Sequence, residues 1–465
     1  MATHERAEPW SISSPLRLWQ EEALSAWALA GGRGVIEAAT GTGKTRVALA
    51  AMSQLHDRHG DNLRVVVVVP TIALARQWRT EIERGLSLRR SDVGEIHSQP
   101  QHEWTFRSPI LLTVVNSARR QLARPLERWR EDGRVVLLVV DECHRTGSQF
   151  NSRSLEGPYD HTLGLSATPE RTDDGHEEFI YPALGQPVFR YPLLTALDDG
   201  VLAPLTSVNL YVELDPRERF KWDELTLDLS RAFVELRRDL PRADLLPEGQ
   251  LFVEIARLAK LEVPAALKVL RLVSERRQLL ADSVGRARCL HAISDWLKSS
   301  RVRALVFHEH IASAEEHHSS LLHREVRSAL EHSGLTPDAR REAASRFKSD
   351  RSQVLVAVRS LDEGIDVPDA AVAVIASGSK SVRQRIQRIG RVVRKAEGKN
   401  ALVVSILVVD TPEEWAIGAR EKELLGGQRV RHHLWPQTSV PAALASDHST
   451  YEPRGQRDGE FNGLE

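Results

Sequence analysis

Residues 38–45 read AATGTGKT, and roughly a hundred positions later residues 135–144 read VVLLVVDECH. The first stretch holds two glycines, Gly41 and Gly43, whose backbone freedom lets a turn wrap phosphate oxygens. With Thr40 and Thr42 they form a cradle closed by Lys44, which is placed to reach β- and γ-phosphates. The hydroxyl of Thr45 is suited to ligate Mg²⁺. The second stretch ends an apolar run in two carboxylates. Asp141 is suited to hold Mg²⁺ through water, and Glu142 to orient and deprotonate an attacking water. An acidic pair after a strand is common by chance. Combined with the cradle, it predicts binding and hydrolysis of a nucleoside triphosphate.

Both stretches need specific elements to position them. Residues 34–38 read as a short buried strand and 44–52 as the opening of a helix, so 39–43 is the strand-to-helix turn whose N–H groups hold anions. Residues 134–140 form a continuous apolar run after one charge, as in a parallel strand covered on both faces. Its carboxyl end carries Asp141 and Glu142, where open α/β sheets place ligand chemistry. The pattern GxxxxGK[ST] has Ala38 at its first glycine position, a departure in an otherwise complete phosphate loop.

Strand patterns near 34–38, 65–69, 110–115, 135–140 and 161–165 alternate with helical ones, which predicts a doubly wound parallel sheet. A second set follows at 302–307, 353–358, 371–375 and 401–408. Between the sets, a strand-like run at 207–214 leads into helical patterns at 218–240, 249–263 and 265–299, broken by prolines at 241, 247 and 264. The expected organisation is a flexible leader at 1–14, a first α/β domain at 15–210, a helical insertion at 211–284, a second α/β domain at 285–435, and a disordered tail at 436–465.

The 465 residues include 41% hydrophobic types, enough to bury several cores. No apolar stretch reaches the roughly 18 residues of a membrane span, and the N-terminus has no apolar signal region, so a cytoplasmic protein without a membrane partner is expected. The two cysteines, Cys143 and Cys289, cannot build a disulfide framework or a metal cluster. The net charge of −1 gives no global argument for nucleic-acid binding.

Seven further motifs occur in one order: LRLWQ at 16–20, PTIALARQW at 70–78, TVVNSARR at 113–120, LGLSATPER at 163–171, LVFHEH at 305–310, LDEGIDVP at 361–368 and QRIGRVVR at 387–394. Over roughly 16–410 the chain resembles the helicases and translocases of superfamily 2. DECH, the QW of LARQW, SATPERTDDG and QRIGRVVRK lean to the XPB-type and restriction-translocase branch rather than the DEAD-box RNA helicases. The resemblance implies two tandem RecA-like domains, with ATP and Mg²⁺ as cofactors. It assigns adenine reading to Arg17 and Gln20, ribose contact to Asp366, and arginine fingers to Arg391 and Arg394. It gives coupling roles to His144, Ser166, Thr168 and Gln387. Phosphate contacts with nucleic acid fall on Thr71, Arg76, Asn116, Arg119 and His308. Two departures stand out: PERTDDG carries one residue more than the commoner form, and VRS at 358–360 stands where a threonine is frequent. The other histidines, His317, His318 and His323 among them, read as solvated helix residues.

The implied activity is an ATP-dependent DNA helicase or translocase acting in DNA repair, recombination or defence against foreign DNA. An RNA helicase is the alternative within the same chemistry. A nucleotide-gated assembly subunit that recruits a nuclease or other protein partner is the alternative from another class. No nuclease signature accompanies the motifs, so cleavage would need a second chain.

Overall fold

The computed structural model describes residues 10–96, 108–171, 173–240, 248–358, 370–377, 389–390, 392–393 and 398–453. The described chain forms two units, dividing between Ala196 and Leu197, each built on its own seven-stranded sheet.

In the first unit the strands are β1 (Arg33–Ala38), β2 (Leu63–Val69), β3 (Val93–Ile96), β4 (Ile110–Val114), β5 (Val135–Asp141), β6 (His161–Ser166) and β7 (Pro187–Tyr191). Their order is β3-β4-β2-β5-β6-β1-β7, with every pairing parallel. The five expected strands are present, and β3 and β7 are added at the edges. The runs VVVVV in β2 and VVLLVV in β5 are buried throughout or nearly so, because helices cover both faces of a parallel sheet. Beneath one face, Trp129, Leu126, Leu122 and Tyr181 pack on Val66, Val68, Leu138 and Val140.

The expected leader is ordered from Trp10 onward. Its indole stacks on His56 at 4.5 Å, its carbonyl accepts from the Ser53 hydroxyl at 2.6 Å, and Ser13 N–H donates to Gly85. A short polar segment gave no periodicity from which this could be read.

The second unit contains β8 (Leu205–Val212), β9 (Ala304–His308), β10 (Ser328–Glu331), β11 (Val354–Val358), β12 (Val372–Ile375), β13 (Ala401–Val408) and β14 (Val430–Leu434). The order is β10-β11-β9-β12-β13-β8-β14, again all parallel. The expected boundary at 210 therefore moves: β8 lies between β13 and β14, pairing Leu205 with Ala401 and Ser207 with Val430. Nothing local in SVNLYV names partners so far along the chain.

Three helices, Pro216–Asp239, Glu248–Lys260 and Pro264–Ala281, make the insertion. The first begins at an Asp215 cap whose carboxylate accepts from the N–H groups of Arg217 and Glu218, with Pro216 opening the helix. Leu225, Leu229, Phe233, Leu236, Ile255 and Leu272 form their shared core. The helical run expected over 265–299 is broken at Asp282 and Ser283, and Val284–Ser300 is a separate helix.

The expected disordered tail is ordered as far as residue 453. Val440 and Ala443 of a short helix (Val440–Ala445) are buried in the core of the second unit, and the Thr450 and Tyr451 N–H groups both donate to His432. Among the described residues no helix is long and apolar enough to cross a membrane.

Candidate functional site

Strand order brings the expected chemistry together. β6 lies between β1 and β5, with Leu165 opposite both Ile36 and Asp141, and Glu37 opposite Ser166. Three adjacent parallel strands thus deliver the phosphate loop, SAT and DECH to the carboxyl end of the first sheet.

After β1 the loop turns through Gly41 at φ 88° and Gly43 at φ 97°, and Gly43 caps the helix Lys44–His59. Side chains rarely adopt such backbone angles, and the peptide N–H groups at this helix start are available to an anion. A Cβ on Gly43 would sit 3.0 Å from Nε2 of Gln20. That amide donates to the Gly43 carbonyl at 3.1 Å, while its Oε1 accepts from Arg17 N–H at 2.9 Å. The Arg17 guanidinium donates to the Thr42 carbonyl at 3.1 Å. Arg17 and Gln20, expected to read adenine, brace the loop backbone in this structure, each end of the glutamine amide making one bond to the protein and keeping capacity for a second. Trp19 between them stacks on Tyr191 at 4.7 Å.

Within the loop, the Thr42 hydroxyl donates to the Ala39 carbonyl at 2.7 Å, and the Lys44 ammonium to the Ala38 carbonyl at 2.8 Å. Among the described residues the buried Thr40 hydroxyl has no hydrogen-bond partner. Thr45, half-buried, opens the first turn of the helix.

At the end of β5, Oδ2 of Asp141 accepts from the Trp78 indole at 2.7 Å, and Oδ1 from the Glu142 N–H at 2.9 Å. Glu142 itself sits in the left-handed region at φ 49°, ψ 48°, a conformation costing on the order of 1–2 kcal/mol for an L residue. Its Oε2 lies 3.4 Å from Nδ1 of His144, which is in turn 3.1 Å from the Ser166 hydroxyl. That hydroxyl also accepts from the Thr168 N–H at 3.2 Å. The structure thus gathers Glu142 and Ser166 on the same nitrogen of His144, Glu142 by close approach and Ser166 within hydrogen-bond distance, with Thr168 bonded to the Ser166 hydroxyl. Arg171 closes this cluster by donating to the His144 carbonyl at 2.8 Å, and its hydrogen bond holds the Asp173 carboxyl below its ordinary range. Cys143 is no nucleophile: burial raises its thiol pKa, aided by the charges of Glu142 and Asp141.

This donor set fits a nucleoside triphosphate with a divalent cation. Positive-φ glycines, an ammonium and the buried Thr40 hydroxyl suit phosphate oxygens, and Asp141 with Thr45 would supply the hard oxygen ligands such a cation takes.

The residues expected to touch nucleic acid fare unevenly. The Thr71 hydroxyl caps the helix Ile72–Gly85 by accepting from Leu74 N–H at 3.2 Å, and Arg76 is exposed on that helix. Asn116 and Arg119 are joined by a 2.6 Å hydrogen bond on the short helix Val115–Gln121. His308 is a correction. It is buried at the end of β9, where Nε2 lies 3.0 Å from Nδ1 of His317, whose Nε2 is 3.1 Å from the Ser294 hydroxyl. His317, read as solvated, is buried with it, and burial first, then neighbouring His308, depresses its pKa. The run LVFH gave His308 its exposure by motif position alone, whereas strand burial decided otherwise. Asp366, Gln387, Arg391 and Arg394 lie outside the described residues.

The chain is similar to known proteins. The model of the type III restriction enzyme res subunit matches residues 13–171, and that of the helicase conserved C-terminal domain matches 286–396. The chain is 29% identical over 413 residues to a DNA 3'-5' translocase XPB2 of Sulfurisphaera tokodaii, covering 88% of this chain and 84% of that one. The chain belongs to helicase superfamily 2, on its XPB-type side. A putative DNA 3'-5' helicase Rad25 of Haloarcula marismortui is 30% identical over 387 residues, and this superfamily 2 chain spans 51% of its length. The Pyrococcus furiosus Hef helicase domain has the same fold, with a TM-score of 0.55 at 17% identity, covering 88% of this chain and 98% of that one. The two sheets are accordingly the tandem RecA-like domains of an ATP-hydrolysing superfamily 2 enzyme.

Two residues of this enzyme's site carry no local signal of their roles. Trp78 falls with Ala75 and Ile82 on the buried stripe of its helix, so spacing marks it as core and conceals the indole N–H aimed at Asp141. Arg171 ends the SATPER motif, yet its bond to the His144 carbonyl joins two segments that only the fold brings together.

Proposed function

We propose that this enzyme is an ATP-driven DNA translocase or helicase of the cytoplasm, acting in repair, recombination or defence against foreign DNA. The observation that carries the reading is the polar cluster in which Glu142 and Ser166 meet at one nitrogen of His144, with Thr168 on the Ser166 hydroxyl. A plain phosphate-binding loop has no need of such a cluster, whereas a motor must pass the state of its hydrolytic base to a second segment.

In this reading Lys44 leaves the Ala38 carbonyl for the β- and γ-phosphates, and the loop N–H groups hold the remaining oxygens. Mg²⁺, when bound, neutralises charge on the phosphates, and Thr45 and Asp141 are the residues that would hold it. Glu142 takes the proton of the attacking water. Ser166 and Thr168 carry the change at His144 into the SAT segment. Arg391 and Arg394 act as fingers on transition-state charge, Gln387 senses the nucleotide, and Asp366 contacts ribose, on the strength of their motifs.

DNA as the track, and a nuclease or other protein as partner, are drawn from the naming of the relatives and from the motif details. The test compares ATPase stimulation by duplex DNA, single-stranded DNA and RNA of matched length across a salt series. DNA should stimulate more than RNA, and stimulation should fall as salt rises, because phosphate contacts release counterions. Equal or stronger stimulation by RNA would transfer the reading to an RNA helicase. No stimulation by any nucleic acid would leave the nucleotide-gated assembly subunit.

A further inference from the structure

The loop that leaves the DECH turn carries an exposed phenylalanine with a guanidinium on one face. Phe150 is 66% exposed, and the Arg119 guanidinium carbon sits 3.6 Å from its ring centroid. Arg119 comes from the helix after β4, so two segments distant in sequence build the pair. The geometry is held from several sides. Asn151 accepts from Arg119 at 3.3 Å through Oδ1 and donates through Nδ2 to the Arg145 carbonyl at 2.9 Å. Asn116 accepts from the same guanidinium at 2.6 Å. Ser152 N–H donates to the Ser148 carbonyl at 2.8 Å, and the Ser154 hydroxyl to the Asn151 carbonyl at 2.7 Å, closing the loop on itself.

The surroundings are cationic. Burial lowers the pKa of Arg119 first, and the charges of Arg120 and Arg153 lower it further, so three guanidinium groups share this corner. Arg120 and Arg153 are both exposed. An exposed aromatic ring braced by one cation and flanked by two more matches what an unpaired nucleobase and its phosphodiesters require.

We infer that Phe150 and Arg119 form a stacking platform for a base of a single-stranded nucleic-acid segment, with Arg120 and Arg153 meeting the adjoining phosphates. The inference rests on the nucleic-acid motor proposed above and adds a base contact to it. The ring face opposite Arg119 takes the base without hydrogen-bond readout, so the platform is indifferent to sequence. Asn151 ties the platform to the Arg145 carbonyl, one residue from His144.

The experiment measures binding of the full chain, by fluorescence anisotropy, to a labelled thymidine oligonucleotide and to an abasic oligonucleotide of equal length. The wild type should prefer the thymidine strand by ~10-fold, as expected for one stacked base. Phe150→Ala should lose that preference while binding the abasic strand as the wild type does, and Phe150→Trp should keep it. If the wild type binds both strands and Phe150→Ala retains the full preference, the platform is overturned and the motor reading stands. If the wild type binds neither strand nor duplex DNA, both fall together. A wild type that binds nucleic acid with no preference for bases also overturns the platform, and leaves Phe150 a site for another protein.

Discussion

The indole Nε1 of Trp78 donates a 2.7 Å hydrogen bond to Oδ2 of Asp141, joining the helix after β2 to the acidic end of β5. With the Glu142 N–H on Oδ1, it fixes the plane of the carboxylate assigned to the cation. Partners of this kind orient a metal ligand without touching the metal.

Trp78→Phe keeps an aromatic ring in the buried position and removes the donor together with part of the ring volume. The Mg²⁺ concentration for half-maximal ATPase should rise by about 10-fold or more, the range seen when an outer partner of a metal ligand is lost. An unchanged Mg²⁺ dependence would reduce Trp78 to a packing residue.

Glu142→Gln should lower kcat by at least ~10²-fold, because an amide cannot accept the proton of water. Affinity for a non-hydrolysable ATP analogue should stay close to the wild-type value, since Glu142 does not belong to the phosphate loop. Wild-type turnover would remove Glu142 as general base. His144→Ala, which removes the ring that Glu142 and Ser166 share, should instead lower nucleic-acid stimulation more than basal turnover.

Removal of residues 436–465 should destabilise the second unit. Val440 and Ala443 are buried, and Thr450 and Tyr451 hold the backbone of His432 on the edge strand. Losing the buried valine alone costs roughly 2 kcal/mol. A urea midpoint unchanged by the truncation would restore the disordered tail expected from composition.

Acidification should weaken the same region. Burial, with Lys422 and His433 opposing and Glu421 favouring the proton, lowers the His432 pKa to about 4. In the unfolded chain the ring titrates near pH 6.5. Between those values the unfolded state binds more protons, so this contribution to stability is complete above pH 6.5 and is lost as pH falls toward 4. His432→Gln should flatten the dependence of the urea midpoint on pH across that window. A slope identical to the wild type would show that other groups carry the acid sensitivity.

Much of this protein was legible in its residues, for a physical reason. A phosphate loop, a strand ending in DE and a run such as VVVVV are local solutions to local demands: glycine where φ must be positive, carboxylates where a buried strand meets solvent, apolar residues where a sheet is covered twice. Thr40 to Thr45, Asp141 and Glu142 could therefore be named from spacing, as could two parallel sheets with helices between them, whereas His144, Ser166 and Thr168 followed from the family resemblance. The tertiary structure alone decided what depends on partners distant in the chain. It placed Leu205–Val212 in the second sheet, aimed Trp78 at Asp141, turned Gln20 onto the phosphate loop, buried His308 against His317 and ordered residues 436–453. Each is a pairing between segments whose own composition is indifferent to it, and only packing and hydrogen-bond satisfaction across the folded unit select one partner over another.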